Sequence, residues 1–355
     1  MRKIILITSF FFLHFFHIFS TEPNLQEIIN NLDSPWSFSF ISDNNVLVTE
    51  KSGNIKLINL STKKIKKIKH NLNILEDGQG GLLEVLYFKE QVFVSYSENL
   101  KKGYSSTSVA SAKFNQNYLS FKNIFRAIPP INSGYHFGSR LVIKDNLLYI
   151  TAGERGEGMI AQDAAKHPGS IIRIHLDGKI PRDNPKFKDK KNWLPEIYQI
   201  GIRNPQGMAL SPFDDKIFIT NHGARGGDWF GEVKYGENYG WKVLGWGGTN
   251  YTGTEIGPKW MPGYTKAIKY WVPSIAVSSM VIYNGNEFKE WNGDALITSL
   301  KDQSLRKIKF KDNKFLDEKI IFKGNVGRIR DIEIQEKTGI IFLITDQGSI
   351  WRFQK

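Results

Sequence analysis

The chain has 355 residues, no cysteine and a formal net charge of +13. Without cysteine there is no disulfide framework, no thiolate metal site and no cysteine-linked lipid. The positive excess suits an anionic ligand or an acidic surface; no nucleic-acid reader motif accompanies it, and runs such as "STKKIKKIKH" read as a solvated face.

The opening "MRKIILITSFFFLHFFHIFS" has a charged start at Arg2 and Lys3, then an apolar run from Ile4 to Phe19. It reads as an export signal over 1–20 with a periplasmic product, leaving 21–355 as one domain. An uncleaved anchor is the other reading of that run. No later stretch approaches the ~20 apolar residues of a membrane span.

Beyond the leader, short runs of Val, Ile, Phe and Tyr alternate with Gly, Asn, Asp and Lys turns. Several runs look alike: "NVLVTEKSGNIKLINL" (45–60), "QVFVSYSEN" with "SVASAKFN" (91–99, 108–115), and "NLLYITAGERG" with "GSIIRIHLDGKI" (146–156, 169–180). "KIFITNHGARG" (216–226), "DALITSLKDQSLRKIKFKDN" (294–313) and "GIIFLITDQGSIWRF" (339–353) complete the set. Each is a strand, a turn and usually a second strand, at the ~40–50-residue spacing of propeller blades. The expectation is an all-β six-bladed β-propeller of four-stranded antiparallel blades, with a pair of β-sandwiches as the runner-up. An N-terminal strand such as "WSFSFI" would close the last blade. The longest insertions fall between Thr151 and Gly169 and between His222 and Trp291.

Several chemistries lack their motifs. There is no GxxxxGK(S/T) or GxGxxG cradle for nucleotides, no HExxH for zinc and no GxSxG elbow. His70, ending a lysine-rich run, reads as exposed, and His175, on an alternating strand, as structural. His136, in "GYHFGSRLVI", is a core imidazole, a ligand or a base. Cations and amides in Gly-rich contexts remain: Gln79 in "EDGQGGLLEV", Arg203 and Asn204 in "QIGIRNPQGMAL", Lys301 in "TSLKDQSL", and Arg328 and Arg330 in "GRIRDIEI". Arg328 and Arg330 share one strand face, where two guanidiniums repel unless an anion lies between them. That anion is either a ligand or a neighbouring acid such as Asp331. The glycine-rich stretch "NHGARGGDWFGEVKYGENYGW" (221–241) is a plain turn or a loop that aims carbonyls at a hard cation such as calcium.

Together with "AQDAAKHPGSIIRIHLDGKIPRDNP", "NYGW" and "VPSIAVSSMVIY", these motifs resemble the soluble PQQ-dependent sugar dehydrogenases, most closely the bacterial periplasmic aldose sugar dehydrogenase branch. The resemblance runs from about Trp36 to Phe353, and the family's fold is a six-bladed propeller. It implies oxidation of the C1 hydroxyl of an aldose to the lactone, with PQQ and Ca2+ as cofactors and a quinone or cytochrome as electron acceptor. It implies His136 as general base, and Gln79, Arg203, Asn204, Lys301, Arg328 and Arg330 as cofactor contacts. Gly223 and Ala224 match the pair whose carbonyls hold calcium, and Tyr239 a tyrosine at a second calcium site. There are departures: Ala224 stands for proline, Trp229 for a glutamate at that second site, Tyr135 for an aspartate before the base, and "GERG" for "GDRG". Tryptophan cannot ligate calcium, which puts the second site in question. Trp246, Tyr251, Trp260 and Trp271 are either sugar platforms or loop packing. A non-catalytic sugar- or protein-binding propeller and a calcium-dependent lactonase are the competing readings.

Overall fold

The computed structural model describes residues 24–187 and 192–355; the expected leader lies outside them. The described residues form six antiparallel sheets around one axis. Blade one holds Pro35–Ser42, Asn45–Glu50, Ile55–Asn59 and Ile65–His70. The innermost strands of blades two to six are Leu82–Phe88, Gly138–Lys144, Pro205–Leu210, Val277–Ile282 and Ile329–Ile334. Each packs against the innermost strands of both neighbours, so the ring is continuous. Three short 3-10 turns are the helical content of the described residues.

The reason for a ring lies in the second strands. Their apolar residues alternate between two interfaces, because successive side chains point to opposite faces. In blade one, Leu47 packs toward blade two while Val46 and Val48 pack toward blade six. In blade three, Leu148 and Ile150 face blade two and Tyr149 faces blade four. Leu296, between Ala295 and Ile297, repeats the division in blade five. Six apolar clusters result, one between each pair of neighbouring blades. A strand buried on both faces reads as a continuous apolar run, which is how "NLLYITA" reads.

The closing strand is not "WSFSFI". Asn24–Ile29 pairs with Ile350–Gln354 in blade six, with Leu25 opposite Phe353 and Ile29 opposite Ile350. Pro35–Ser42 is instead the inner strand of blade one; its first five residues are buried, and the Phe38 N–H donates to the Asp331 carboxylate at 3.1 Å. A strand that buried belongs in the channel wall and cannot serve as an outer edge. Tyr118–Leu119 adds a short parallel strand beside Ile65–His70 and covers the outer edge of blade one.

Halfway down the channel Arg140 ties four blades together. Its guanidinium donates to Glu84 and Asp331 at 2.7 Å each, to the Gln206 carbonyl at 2.7 Å and to the Arg330 carbonyl at 3.1 Å. It lies 4.3 Å from the centre of the Trp36 ring. Burial pushes the Glu84 carboxyl up to about 8, against the pull of Arg140.

Candidate active site

Every first strand begins, and every second strand ends, at the same mouth of the channel. Loops at those points therefore converge whatever their separation in sequence. Ser34, Gln79, His136, Asn204, Ala276 and Arg328 each stand one to three residues before a first strand; Lys51, His222, Leu300 and Asp346 follow second strands within two residues. All ten line one cavity of about 450 Å3, together with Arg203 and Arg330.

The structure thus brings together six of the expected residues: His136, Gln79, Arg203, Asn204, Arg328 and Arg330. Lys301 is exposed at the rim, next to the lining residue Leu300. Gly223 and Ala224 follow the lining residue His222. Their N–H groups turn inward, Gly223 to the Asp228 carboxylate at 2.8 Å and Ala224 to the Gly226 carbonyl at 3.1 Å. Among the described residues no hydrogen bond ends on either carbonyl oxygen. Tyr239 is not at the mouth. It is fully buried between blades three and four, its ring stacked on Trp229 at 4.0 Å, and its hydroxyl donates to the Glu232 carbonyl. Trp229 thus fills with apolar packing the position where the family's glutamate would stand.

His136 holds a left-handed backbone, φ +49°, a conformation that costs a non-glycine residue about 1–3 kcal/mol and clusters at functional sites. Neighbours enforce it. The His136 N–H donates to the Gln79 side-chain oxygen at 2.9 Å, and the Arg155 N–H to the His136 carbonyl at 3.3 Å. Gly153 leaves room for that carbonyl: a Cβ there would stand 2.0 Å from its oxygen. Arg155 braces the same loop through the Tyr135 and Ser105 carbonyls and lies 3.7 Å from the Phe137 ring centre.

Nδ1 of His136 meets Glu154 Oε1 at 2.5 Å, while Glu154 Oε2 accepts the Gly158 N–H at 2.5 Å. The carboxylate accepts, so Nδ1 carries the hydrogen and Nε2 keeps its lone pair. Burial lowers the His136 pKa below 6.5, aided by Arg203 and Arg155 and opposed by Glu154. Burial acts to raise the Glu154 carboxyl, but the bonds from His136 and Gly158 outweigh it and hold it below the usual range. The pair is a neutral imidazole donating to a carboxylate, the arrangement a general base requires. Glu154 was visible in the sequence only as a departure within "GERG"; its role needed the fold.

The remaining lining is cationic. Arg328 and Arg330 share Asp346 between them: Arg328 Nε donates at 2.9 Å and Arg330 Nε at 2.8 Å. The anion that reconciles the two guanidiniums is therefore Asp346, across the sheet; Asp331 is committed to Arg140. Burial raises the Asp346 carboxyl, yet the two arginines more than offset it and keep it ionised. Arg203, Arg328, Arg330 and Lys51 outnumber this one lining carboxylate, an excess that suits an anionic group. The Asn204 side-chain oxygen accepts from the Gly138 N–H at 3.1 Å and from Gln206 at 3.1 Å, joining blades three and four below the cavity. Burial drives His222 down to about 4, so it is neutral beside Asp228. His70 is half-buried rather than exposed, with Nε2 2.6 Å from the Gly53 carbonyl. Trp246 and Trp271 are packing residues, and Trp260 is outside the cavity; Tyr251 lines it.

Comparison with known proteins gives the family. The Glucose / Sorbosone dehydrogenase family matches residues 32–352. Aldose sugar dehydrogenase YliI of Escherichia coli is 32% identical over 339 residues, covering 92% of this chain and 91% of its own. Quinoprotein glucose dehydrogenase B of Acinetobacter calcoaceticus is 25% identical over 90% of this chain and 84% of its own. The crystal structure of the Escherichia coli soluble aldose sugar dehydrogenase in the apo-form superposes with a TM-score of 0.88 at 31% identity, covering 94% of this chain and 99% of that one. The chain belongs to the Glucose / Sorbosone dehydrogenase family and is an oxidoreductase acting on sugars.

Proposed function

We propose that the chain is a periplasmic quinoprotein that oxidises the C1 hydroxyl of cyclic aldoses to the lactone. The observation that carries this reading is the neutral His136, fixed at Nδ1 by Glu154 and presenting Nε2 to a cation-lined cavity. Nε2 takes the proton of the C1 hydroxyl. The C1–H bond breaks with its electron pair, the C1–O double bond forms, and Glu154 stabilises the imidazolium until it returns its proton to water.

PQQ fits the donor set. Arg203, Arg328 and Arg330, with Gln79 and Asn204, would hold its carboxylates and quinone oxygens, with Lys301 reaching in from the rim. When bound, PQQ supplies the two-electron acceptor for the hydride. The unengaged carbonyls of Gly223 and Ala224 suit a calcium ion, which takes oxygen ligands and would polarise the quinone. Among the described residues no three His, Asp or Glu side chains converge on a metal position, so such an ion would depend on main-chain and cofactor oxygens. The Tyr239 hydroxyl is committed to the Glu232 carbonyl and Trp229 has no oxygen in its side chain, so neither side chain offers a ligand to a second ion.

The test is reconstitution. Mature chain with PQQ and Ca2+ should reduce a dye in the presence of aldoses, and neither apoprotein nor a PQQ-free control should do so. Absence of PQQ uptake at micromolar concentration would overturn the proposal.

A further inference from the structure

Residues 233–268, between the third and fourth strands of blade four, form the longest insertion among the described residues. Its aromatic residues divide sharply. Trp246 is 3% exposed and packs with Trp229 and Tyr239. Trp260 turns its indole N–H to the Tyr264 carbonyl at 3.0 Å and is outside the cavity. Tyr251 lines the cavity with His136 and Arg203, yet is 71% exposed.

Tyr251 is also held. Thr249 bridges Glu255, the Asn250 N–H donates to the Thr254 carbonyl at 2.8 Å, and the Gly253 N–H to the Asn250 carbonyl at 2.9 Å. This small hairpin places Tyr251 at its tip. Its base is fixed by the Arg225 N–H, which donates to the Thr249 carbonyl at 3.1 Å, on the same loop as Gly223 and Ala224. A tethered aromatic ring left open to water beside a base is a preorganised platform for an apolar surface. A pyranose has such a surface: when its hydroxyls are equatorial, its axial C–H bonds form a flat apolar face.

Resting on the sugar-oxidation reading above, we propose that Tyr251 is a specificity-determining residue. Its ring packs on the C–H face of the aldopyranose, its hydroxyl meets a sugar hydroxyl beside Arg203, and it selects rings whose packed face carries C–H bonds over those with an axial hydroxyl on that face.

The experiment compares wild type, Tyr251→Ala and Trp260→Ala, each checked for folding by circular dichroism. Binding of methyl β-glucoside and methyl β-galactoside to the PQQ-free chain is measured by saturation-transfer NMR. KM and kcat for glucose and galactose are measured after reconstitution. Tyr251→Ala should weaken glucoside binding and raise the glucose KM about tenfold, with kcat within about threefold, and should narrow the difference between glucose and galactose. Trp260→Ala should match wild type. The proposal is overturned if Tyr251→Ala stays within about twofold of wild type, if Trp260→Ala loses as much, or if wild type binds neither glycoside. Failure of PQQ uptake, by contrast, would remove the quinoprotein reading while leaving the glycoside-binding result to stand.

Discussion

Replacing Glu154 with glutamine tests how the base is held. Glu154 accepts two hydrogens, one from His136 Nδ1 and one from the Gly158 N–H. An amide has one acceptor oxygen. If that oxygen faces His136, an NH2 group is driven against the buried Gly158 N–H, costing about 1–3 kcal/mol. If it faces Gly158, the NH2 donates to Nδ1 and moves the imidazole hydrogen to Nε2, the wrong tautomer for a base. The charge matters separately. Glu154 raises the His136 pKa against burial, so its loss lowers that pKa further. On the proposed mechanism activity requires neutral His136, so it falls as pH drops through the His136 pKa. In wild type that acidic limb lies below 6.5; in Glu154→Gln it moves lower still, while kcat at pH 7.5 drops about 100-fold. Stopped-flow turnover across pH 4–8, with PQQ affinity measured in parallel, reads both quantities. An unchanged limb with unchanged kcat, or a limb displaced upward, would refute the reasoning.

Other outcomes follow from the same geometry. His136→Gln should lower turnover by about 10²–10⁴ while PQQ binding, followed by absorbance, stays near wild type. Gly153→Ala should lower kcat without unfolding the chain, because its Cβ would displace the His136 carbonyl it meets at 2.0 Å; kinetics together with a thermal melt would show whether the two effects separate. Arg140→Met leaves the buried Asp331 carboxylate without its cation, beside the Glu84 carboxyl, and urea unfolding should show a loss of about 3–5 kcal/mol. Adding Glu84→Gln and Asp331→Asn should recover most of that loss; a triple variant as unstable as Arg140→Met would mean that the arginine acts by packing alone.

The repeated strand–turn–strand units were legible because each second strand is buried on both faces, leaving an unbroken apolar run ended by a small polar residue. Six such runs imply six interfaces, and six interfaces close a ring. The identity of the closing strand was not legible. "WSFSFI" and "NLQEII" are both plausible strands, and only the burial of Trp36 at the cavity and of Phe38 between blades one and six decides between them. In the same way, "GRIRDIEI" places two arginines on one face, but cannot say that the anion between them comes from Asp346 rather than Asp331.

The sequence alone determined which residues are candidates for chemistry: a histidine in a glycine-bracketed approach, paired arginines, and a loop rich in glycine. Tertiary structure decided which of them meet. Lys51, His136, Asn204, Arg328 and Asp346 are spread over nearly 300 positions. They converge because the inner strands are parallel around one axis, so that every loop before a first strand and after a second strand opens at the same mouth. No local pattern encodes that convergence. It also decided that Glu154 orients the base and that Tyr239 lies behind Trp229, since each depends on which blade stands next to which.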